Sequence, residues 1–162
     1  CVNNFIYGMT GGQIAPTSPL ATKASTTPYG SSEQPFNLAN LVDACGAVFV
    51  ARWTTYHVHQ LTRTITKALN TKGFSFVEII APCPTLHLRR NKLGDGLKMM
   101  QFFKERSVIK NGVPTSEATI DLKGEIVVGE FVERERPTFW QGFYDQQKAM
   151  LGDAFVPYMG AK

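Results

Sequence analysis

The feature that most constrains the fold is a strand–helix–strand pattern between residues 47 and 80. The apolar runs AVFVARW (47–53) and FSFVEII (74–80) are rich in β-branched and aromatic residues, which predicts two buried strands. The segment between them places its apolar residues on one face of a helix that ends at Gly73. These residues are Val58, Leu61, Ile65 and Leu69. Strands joined in this way pair in parallel through a right-handed crossover, so the pattern predicts an α/β fold with a mostly parallel sheet flanked by helices.

Further segments extend this pattern along the chain. NLANLVDACG predicts a short helix that Asn37 caps and Gly46 ends. Another helix is predicted at LKMMQFFKER (97–106), and a final helix at TFWQGFYDQQKAML. Between them, a later strand that is antiparallel or at an edge is predicted at EIVVGEFV (125–132). Residues 14–35 are rich in Thr, Ser and Pro, which predicts a long irregular loop of the kind that is usually functional or disordered. No repeat or internal boundary is evident, so the chain is interpreted as a single domain.

Composition and charge argue against several classes of protein. The sequence has no apolar run of about 18 residues and no charged leader, so we expect neither a membrane span nor a signal peptide. The net charge of +4 is mild and fits either solvated lysines or an anionic ligand. Basic and aromatic residues do not alternate, which argues against nucleic-acid binding. The odd number of cysteines, namely Cys1, Cys45 and Cys83, does not suit a disulfide framework and favours a reducing, cytoplasmic setting.

Two segments lie where a parallel sheet places its ligands, beyond the carboxyl ends of strands. NNFIYGMTGGQ (3–13) follows Cys1-Val2, which we interpret as the last residues of a buried strand. An asparagine carbonyl is a hard oxygen ligand that suits Mg²⁺, and glycines allow backbone N–H groups to approach phosphate oxygens closely. The segment therefore fits a metal-bound diphosphate. The same spacing also fits an ordinary Asn/Gly turn.

The second segment, APCPT, places Cys83 between Pro82 and Pro84. Two prolines remove N–H donors and stiffen the chain around the sulfur. From the residues alone, Cys83 is either a buried apolar cysteine or a thiolate ligand of an iron–sulfur cluster. Cys83 and His87 are spaced as a possible pair of zinc ligands, but the sequence has no second pair, which zinc needs. Cys45 is predicted to lie in the core.

Several segments together resemble the beta subunits of 2-oxoacid:ferredoxin oxidoreductases, and the 2-oxoglutarate-oxidising branch most closely. They are NNFIYGMTGGQIAPTSP…TTPYG, GAVFVARWTTYHVHQL, KGFSFVEIIAPCPT and RRNKLGD, in this order. The similarity extends to about residue 108 and, more loosely, to ERPTF. The resemblance implies a thiamine diphosphate-binding fold with Mg²⁺ and a [4Fe–4S] cluster. It further implies oxidative decarboxylation of a 2-oxoacid, here 2-oxoglutarate, to acyl-CoA and CO₂, with electrons passed to ferredoxin.

The resemblance also assigns site residues by position. Asn4 resembles the side-chain ligand of Mg²⁺, and Ile6 resembles its backbone-carbonyl ligand. Cys83 matches the fourth ligand of the [4Fe–4S] cluster. The turn that wraps the diphosphate is matched by Tyr7, Gly8, Met9 and Thr10. Catalytic residues of this chain stay unassigned, because the family takes the glutamate that activates the aminopyrimidine from its alpha subunit.

Part of the family pattern is expected before Cys1, namely a Gly-Asp-Gly stretch for Mg²⁺ and three further cluster cysteines. Gly94-Asp95-Gly96 spells the tripeptide but follows the asparagines, so it is predicted to be a turn and a helix start. The sequence is therefore expected to be the C-terminal portion of a single thiamine diphosphate-binding domain whose N-terminal half is missing, and to be inactive alone. The partners implied are the alpha subunit, smaller gamma and delta subunits, ferredoxin, coenzyme A and the 2-oxoacid.

Other interpretations stay open from the sequence. They are a folded fragment with a structural or interaction role and no cofactor, a non-redox thiamine diphosphate enzyme, and a hydrolase that uses Cys1 as its nucleophile. The basic cluster, defined as Arg89, Arg90 and Lys92, is interpreted as a solvated loop, with acidic ferredoxin or coenzyme A phosphates as alternative partners. His57 and His59 are two residues apart and are not expected to share a helical face.

Overall fold

The computed structural model describes residues 1–158. The strands are β1 (Val2–Asn3), β2 (Ile6–Tyr7), β3 (Gln13–Ile14), β4 (Phe49–Thr54), β5 (Ser75–Ile80), β6 (Ser107–Ile109) and β7 (Ile126–Glu133). The helices are α1 (Leu38–Ala44), α2 (Val58–Asn70), α3 (Gly96–Arg106) and α4 (Phe139–Leu151). Three single turns complete the elements: a π-helical turn at Pro84–Leu88 and 3₁₀ turns at Thr115–Glu117 and Gly152–Ala154.

The strands β1, β5, β4, β7 and β6 form one sheet in that order, and β2 and β3 form a separate hairpin. Strands β4 and β5 pair in parallel from Phe49 opposite Ser75 to Thr54 opposite Ile80, with α2 as their crossover. This confirms the predicted α/β unit. Strand β1 also pairs in parallel with β5, with Asn3 opposite Ile80, so that β1, β5 and β4 end at the same edge of the sheet.

The far side of the sheet contains one strand that the sequence did not predict. Strand β7 pairs antiparallel with β4, which is one of the two arrangements expected for it, and it lies inside the sheet. The short strand β6 lies outside it and pairs in parallel from Ser107 opposite Ile126 to Ile109 opposite Val128. A three-residue strand carries too few residues to show an alternating pattern, and it is held here by the backbone of its neighbour.

Helix α2 packs through a different face from the one that its apolar residues indicated. Val58, Ile65 and Leu69 are exposed, Leu69 by 81%. The inner face instead carries Leu61, which packs against the core, and the buried Thr64. Three of the four residues of the apolar stripe therefore do not pack against the core. Polar bonds described below hold this helix to the sheet.

Two helix starts follow the predicted capping. The side chain of Asn37 accepts a hydrogen bond from the backbone N–H of Asn40 at the start of α1. The side chain of Asp95 accepts one from Lys98 at 2.9 Å, so Gly94-Asp95-Gly96 is a turn and helix start as predicted. Cys45, expected in the core, is exposed, because it ends α1 on the solvent side of that helix.

The core lies on both faces of the sheet. One cluster, which includes Phe5, Trp53, Ile80 and Phe103, packs beneath α2 and α3. A second cluster on the α1 side includes Ala39, Val50 and Phe131. Residues 15–37 form the long irregular connection that was predicted, although it begins after the β2–β3 hairpin. No helix within the described part of the chain is long and apolar enough to cross a membrane.

Candidate functional site

Two loops run side by side beyond the carboxyl ends of β1 and β5. The asparagine loop is defined as residues 3–13 and the cysteine loop as residues 81–88. The carbonyl of Asn3 accepts a hydrogen bond from the N–H of Ala81 at 3.0 Å, and the carbonyl of Asn4 accepts one from Cys83 at 3.1 Å. The structure therefore brings together the two segments that the sequence singled out, at the edge where parallel sheets place their ligands.

The side chain of Asn3 stabilises the conformation of the asparagine loop. Its side chain is buried and donates to Glu78 Oε1 at 2.7 Å. Its amide oxygen accepts from the N–H of Phe5 at 3.1 Å and from the Thr17 hydroxyl at 2.9 Å. Phe5 has a φ of 61°, which a non-glycine residue adopts rarely, so these bonds stabilise a strained turn. The Asn3 side chain has no free oxygen to offer a metal ion.

The side chain of Asn4 lies in a different environment from that of Asn3. It is exposed, and its side-chain nitrogen donates to the carbonyl of Ala81 at 2.8 Å. This bond fixes the orientation of the amide, while its oxygen accepts no hydrogen bond from residues 1–158. Asn4, Ile6 and Tyr7 line a cleft of about 330 Å³ whose other wall includes Phe36. An oriented amide in a residue that lines a cleft fits a ligand of a hard cation.

The hairpin that follows Tyr7 lies against the cysteine loop. The N–H of Gly12 donates to the carbonyl of Tyr7 at 2.8 Å, and Gly12 has a φ of 88°. A Cβ on Gly8 would lie 3.0 Å from Cys83 Sγ, so a side chain there would displace the sulfur. Gly8, Met9 and Thr10 form the tip of this hairpin rather than lining the cleft.

Cys83 is half-buried at the start of the π-helical turn, where the Thr85 hydroxyl lies beside its sulfur. Burial alone would raise the pKa of this thiol. The hydroxyl of Thr85, 3.4 Å from Sγ, and the backbone N–H groups of Leu86, His87 and Thr85 outweigh burial and lower the pKa from its usual value. The turn thus favours the thiolate, which is the form that binds metals.

His87 links the two loops in a way that the sequence did not indicate. Its ring is buried 5.4 Å from the ring of Phe5, so it packs beneath the strained turn that follows Asn4. Neither ring nitrogen has a hydrogen-bond partner among residues 1–158. Burial lowers the pKa of His87 to about 4, so the imidazole is neutral near pH 7.

A buried ion pair supports the site from the middle of the sheet. Arg52 Nε donates to Glu78 Oε2 at 2.7 Å, and both side chains are almost fully buried. Glu78 in turn accepts from Asn3, and Arg52 also donates to Asn37 Oδ1 at 3.1 Å. The two charged residues are register partners on β4 and β5. Opposite charges at matched positions in two apolar strands were a sequence signal for this pair.

The described residues hold only part of any metal site. Among residues 1–158, no three His, Cys, Asp or Glu side chains are grouped so that they could hold an ion. Cys1 and Cys45 are exposed and free, and His57 is buried whereas His59 is exposed. A cluster at Cys83 would therefore take its other thiolate ligands from outside these residues.

Comparisons with known proteins find relatives over most of this chain. The family model described as "Thiamine pyrophosphate enzyme, C-terminal TPP binding domain" matches residues 1–79, which include the asparagine loop. The 2-oxoglutarate synthase subunit KorB of Methanothermobacter thermautotrophicus is 50% identical over 137 residues, covering 85% of this chain and 48% of the relative. The KorB subunit of Methanocaldococcus jannaschii is 47% identical over 139 residues, covering 86% of this chain and 51% of the relative.

A solved structure is similar over nearly the whole chain. It is a 2-oxoglutarate:ferredoxin oxidoreductase from Magnetococcus marinus with 2-oxoglutarate, coenzyme A and succinyl-CoA bound. The match has a TM-score of 0.69 and 28% sequence identity, and it covers 96% of this chain and 53% of that chain. The chain spans about half the length of the curated relatives it matches.

Proposed function

Because this chain belongs to the family of 2-oxoacid:ferredoxin oxidoreductase beta subunits, we propose that it forms part of a thiamine diphosphate site in such an enzyme. The enzyme would convert a 2-oxoacid, for which we propose 2-oxoglutarate, to its acyl-CoA. The observation that carries the proposal is the pair of hydrogen-bonded loops that brings Asn4 and Cys83 to one edge of the sheet.

The asparagine loop fits Mg²⁺ and a diphosphate. The amide oxygen of Asn4 would bind the ion, and the backbone carbonyl of Ile6 would supply a second oxygen, since both residues line the same cleft. Tyr7, Gly8, Met9 and Thr10 would wrap the diphosphate. At Gly8 a Cβ would press against Cys83 Sγ, so the absence of a side chain matters at that position. When bound, thiamine diphosphate supplies the carbon nucleophile that adds to the 2-oxo carbon and allows CO₂ to leave.

The cysteine loop fits one ligand of a [4Fe–4S] cluster. The hydroxyl of Thr85 and the backbone N–H groups directed at Cys83 Sγ favour its thiolate. The same groups would stabilise negative charge at this ligand if a cluster is bound, which would raise the reduction potential of the cluster. Because Cys83 lies against the Gly8 turn, a cluster held by Cys83 would be close to a cofactor bound at the asparagine loop.

The overall reaction balances with two one-electron acceptors. A 2-oxoacid anion and coenzyme A give acyl-CoA, CO₂, one proton and two electrons, and we propose ferredoxin as the acceptor of the electrons. An alpha subunit would supply the carboxyl group that assists the aminopyrimidine, with gamma and delta subunits as further partners. The acidic Mg²⁺ ligand and the remaining cluster cysteines would come from outside the described residues. We propose that this assembly is cytoplasmic, as an oxygen-sensitive thiolate cluster favours a reducing compartment.

Analysis of the native complex tests the proposal. Purified without oxygen, it should contain thiamine diphosphate, magnesium and iron, and it should reduce ferredoxin only when 2-oxoglutarate and coenzyme A are both present. A complex with thiamine but no iron, releasing CO₂ without an electron acceptor, would instead be a non-redox thiamine enzyme. A complex with neither cofactor would point to a structural role for this chain.

A further inference from the structure

We propose that an acidic electron-carrier protein docks on a basic patch beside Cys83. The basic patch comprises the basic cluster together with two lysines from other segments: Lys23, Arg89, Arg90, Lys92 and Lys98. This inference rests on the proposed function, because the patch has this use only if electrons leave the enzyme near Cys83.

The patch is assembled by the fold and is not evident from the sequence. Lys23 belongs to the long connection between β3 and α1, yet its backbone N–H donates to Asn91 Oδ1 at 2.8 Å. The side-chain nitrogen of Asn91 donates back to the carbonyl of Lys23 at 3.1 Å. Asn91 lies between Arg90 and Lys92, so this clamp adds a fourth cation to the basic cluster.

The charges of the patch are not neutralised locally. All five side chains belong to exposed residues, and none of them forms an ion pair within residues 1–158. Asp95 is the only acidic residue between positions 79 and 104, and its carboxylate caps α3. The surface is therefore strongly positive, which attracts an acidic partner and accelerates its encounter.

The patch lies close to the proposed electron exit. Leu88 donates its N–H to the carbonyl of Cys83 at 3.0 Å, so one tight turn separates the sulfur from the residues that follow. At a helical rise of 1.5 Å per residue, Arg89 lies about 9 Å from Cys83 along the turn. A carrier seated on the patch would therefore approach the cluster closely.

An apolar centre favours a protein over a small anion as the occupant. Leu93 and Leu97 are exposed between Lys92 and Lys98, Leu97 by 79%. Leu93 and Lys98 also border an apolar recess of about 170 Å³, which has room for an aliphatic side chain. An apolar centre inside a charged rim is typical of a protein–protein interface. A phosphate ligand, in contrast, would need only the cations and not the exposed leucines.

The test uses charge reversal in the native complex. Lys23→Glu and Arg90→Glu should each weaken ferredoxin binding about tenfold at low ionic strength, raise its KM by a similar factor, and lose most of this effect at high salt. Reduction of methyl viologen, a small cation, should continue at the native rate in both variants. Lys72→Glu is the matched control, because Lys72 precedes β5 whereas Cys83 follows it, about 20 Å away at 3.3 Å per strand residue.

The outcomes separate this inference from the proposed function. Native affinity for ferredoxin in both variants, or equal weakening by Lys72→Glu, would overturn the docking site. A rise in the KM for coenzyme A in place of that for ferredoxin would overturn it too, and would assign the patch to phosphate binding. Failure of the native complex to reduce methyl viologen with 2-oxoglutarate would instead contradict the proposed function. Arg90→Gln should also weaken ferredoxin binding, but by a smaller factor than Arg90→Glu.

Discussion

Asn3 and Asn4 are adjacent, but their side chains lie in different environments, so replacing each of them should have a different effect. Asn3→Ala removes the hydrogen-bond partner of Glu78 Oε1, of the Thr17 hydroxyl and of the N–H of Phe5, so we expect a loss of about 1–3 kcal/mol in the free energy of unfolding. Asn4→Ala removes an exposed side chain and should change stability little. It should instead lower the Mg²⁺-dependent affinity for thiamine diphosphate.

Both variants should be compared in the native complex. Thermal unfolding followed by circular dichroism measures the first effect, and calorimetric titration with thiamine diphosphate measures the second. A conservative Asn4→Gln change should recover part of the affinity, because it restores an amide oxygen. If Asn3→Ala unfolds normally yet abolishes cofactor binding, while Asn4→Ala binds normally, the metal ligand is one residue earlier than proposed.

Cys83 and Cys45 provide a second contrast between single residues. Cys83→Ser should leave the fold intact but make the cluster labile, because a poorer ligand replaces a thiolate that several hydrogen bonds favour. Cys45→Ser should do neither, since Cys45 is exposed at the end of α1. Iron content and the reduced-state electron paramagnetic resonance signal, measured without oxygen, distinguish the two. A stable cluster in Cys83→Ser that is lost in Cys45→Ser would reverse the assignment.

His87 should make the isolated chain sensitive to acid. Its pKa is lowered from 6.5 to about 4 by burial, so the unfolded state binds the proton first as the pH falls. Stability from this group is fully present above pH 6.5 and is lost as the pH falls toward 4. At about 1.4 kcal/mol per pH unit, the loss reaches about 3 kcal/mol.

Urea unfolding at a series of pH values measures this dependence. His87→Phe should flatten the curve between pH 6.5 and 4, because phenylalanine can pack against Phe5 without titrating. The control is His59→Gln at an exposed histidine, which should keep the native slope. An unchanged slope in His87→Phe would show that another group, such as the buried His57, whose pKa burial also lowers, controls the acid response.

At the level of elements, α2 shows that its polar contacts outweigh its apolar stripe. The indole N–H of Trp53 donates to Thr64 Oγ1 at 2.9 Å, and Thr64 donates to Glu130 Oε1 at 2.8 Å. Lys67 reaches Glu130 at 2.8 Å and Glu133 at 2.7 Å, so the helix is tied to both β4 and β7. These bonds orient Thr64 inward and leave Leu69 in solvent.

This arrangement predicts an unusual pair of mutational effects. Thr64→Val leaves the buried Trp53 N–H and Glu130 Oε1 without these hydrogen-bond partners and should cost about 1–3 kcal/mol in unfolding free energy. Leu69→Ala, at an exposed apolar position, should change it by less than about 0.5 kcal/mol. Chemical denaturation of both variants is the measurement. A larger loss from Leu69→Ala would mean that the apolar stripe is the packed face after all.

The elements that the sequence predicted are those with a strong local cause. Strands β4 and β5 are continuous apolar runs, and α1 and α3 begin at side chains that cap them. Strand β6 and the β2–β3 hairpin were missed, because two or three residues carry no periodicity and are held by pairing with distant backbone. Cys45 was misplaced for a related reason: its neighbours Ala44 and Leu41 are apolar but lie on the exposed side of α1.

The candidate site was only partly predictable from the sequence. Residue types and position after a strand indicated both loops, but spacing alone favoured an ordinary turn at Asn4. Only the resemblance assigned Asn4, Ile6 and Cys83 to specific ligands. The contact between the Gly8 turn and the Cys83 sulfur, and the packing of His87 beneath Phe5, join residues about 75 to 80 positions apart and could not be read from local sequence.

At the scale of the whole molecule, the described residues place no carboxylate in the cleft beside Asn4 for a divalent cation. The cleft beside Asn4 is lined by amide, hydroxyl, aromatic and aliphatic groups, and no carboxylate is among its lining residues. Mg²⁺ releases its water reluctantly and usually requires at least one charged oxygen ligand. The single thiolate of Cys83 is likewise insufficient for a cluster that needs four ligands.

We therefore expect a polypeptide of these 162 residues to fold but to lack turnover and to bind thiamine diphosphate only weakly. Its β4–α2–β5 unit, buried ion pair and two core clusters lie within the chain and should give a cooperative unfolding transition. Calorimetric titration with and without Mg²⁺ measures the binding, and the native complex is the positive control. Mg²⁺-dependent binding in the micromolar range by the polypeptide alone would contradict the expectation. It would show that Asn4, Ile6 and the hairpin turn hold the metal diphosphate without a carboxylate.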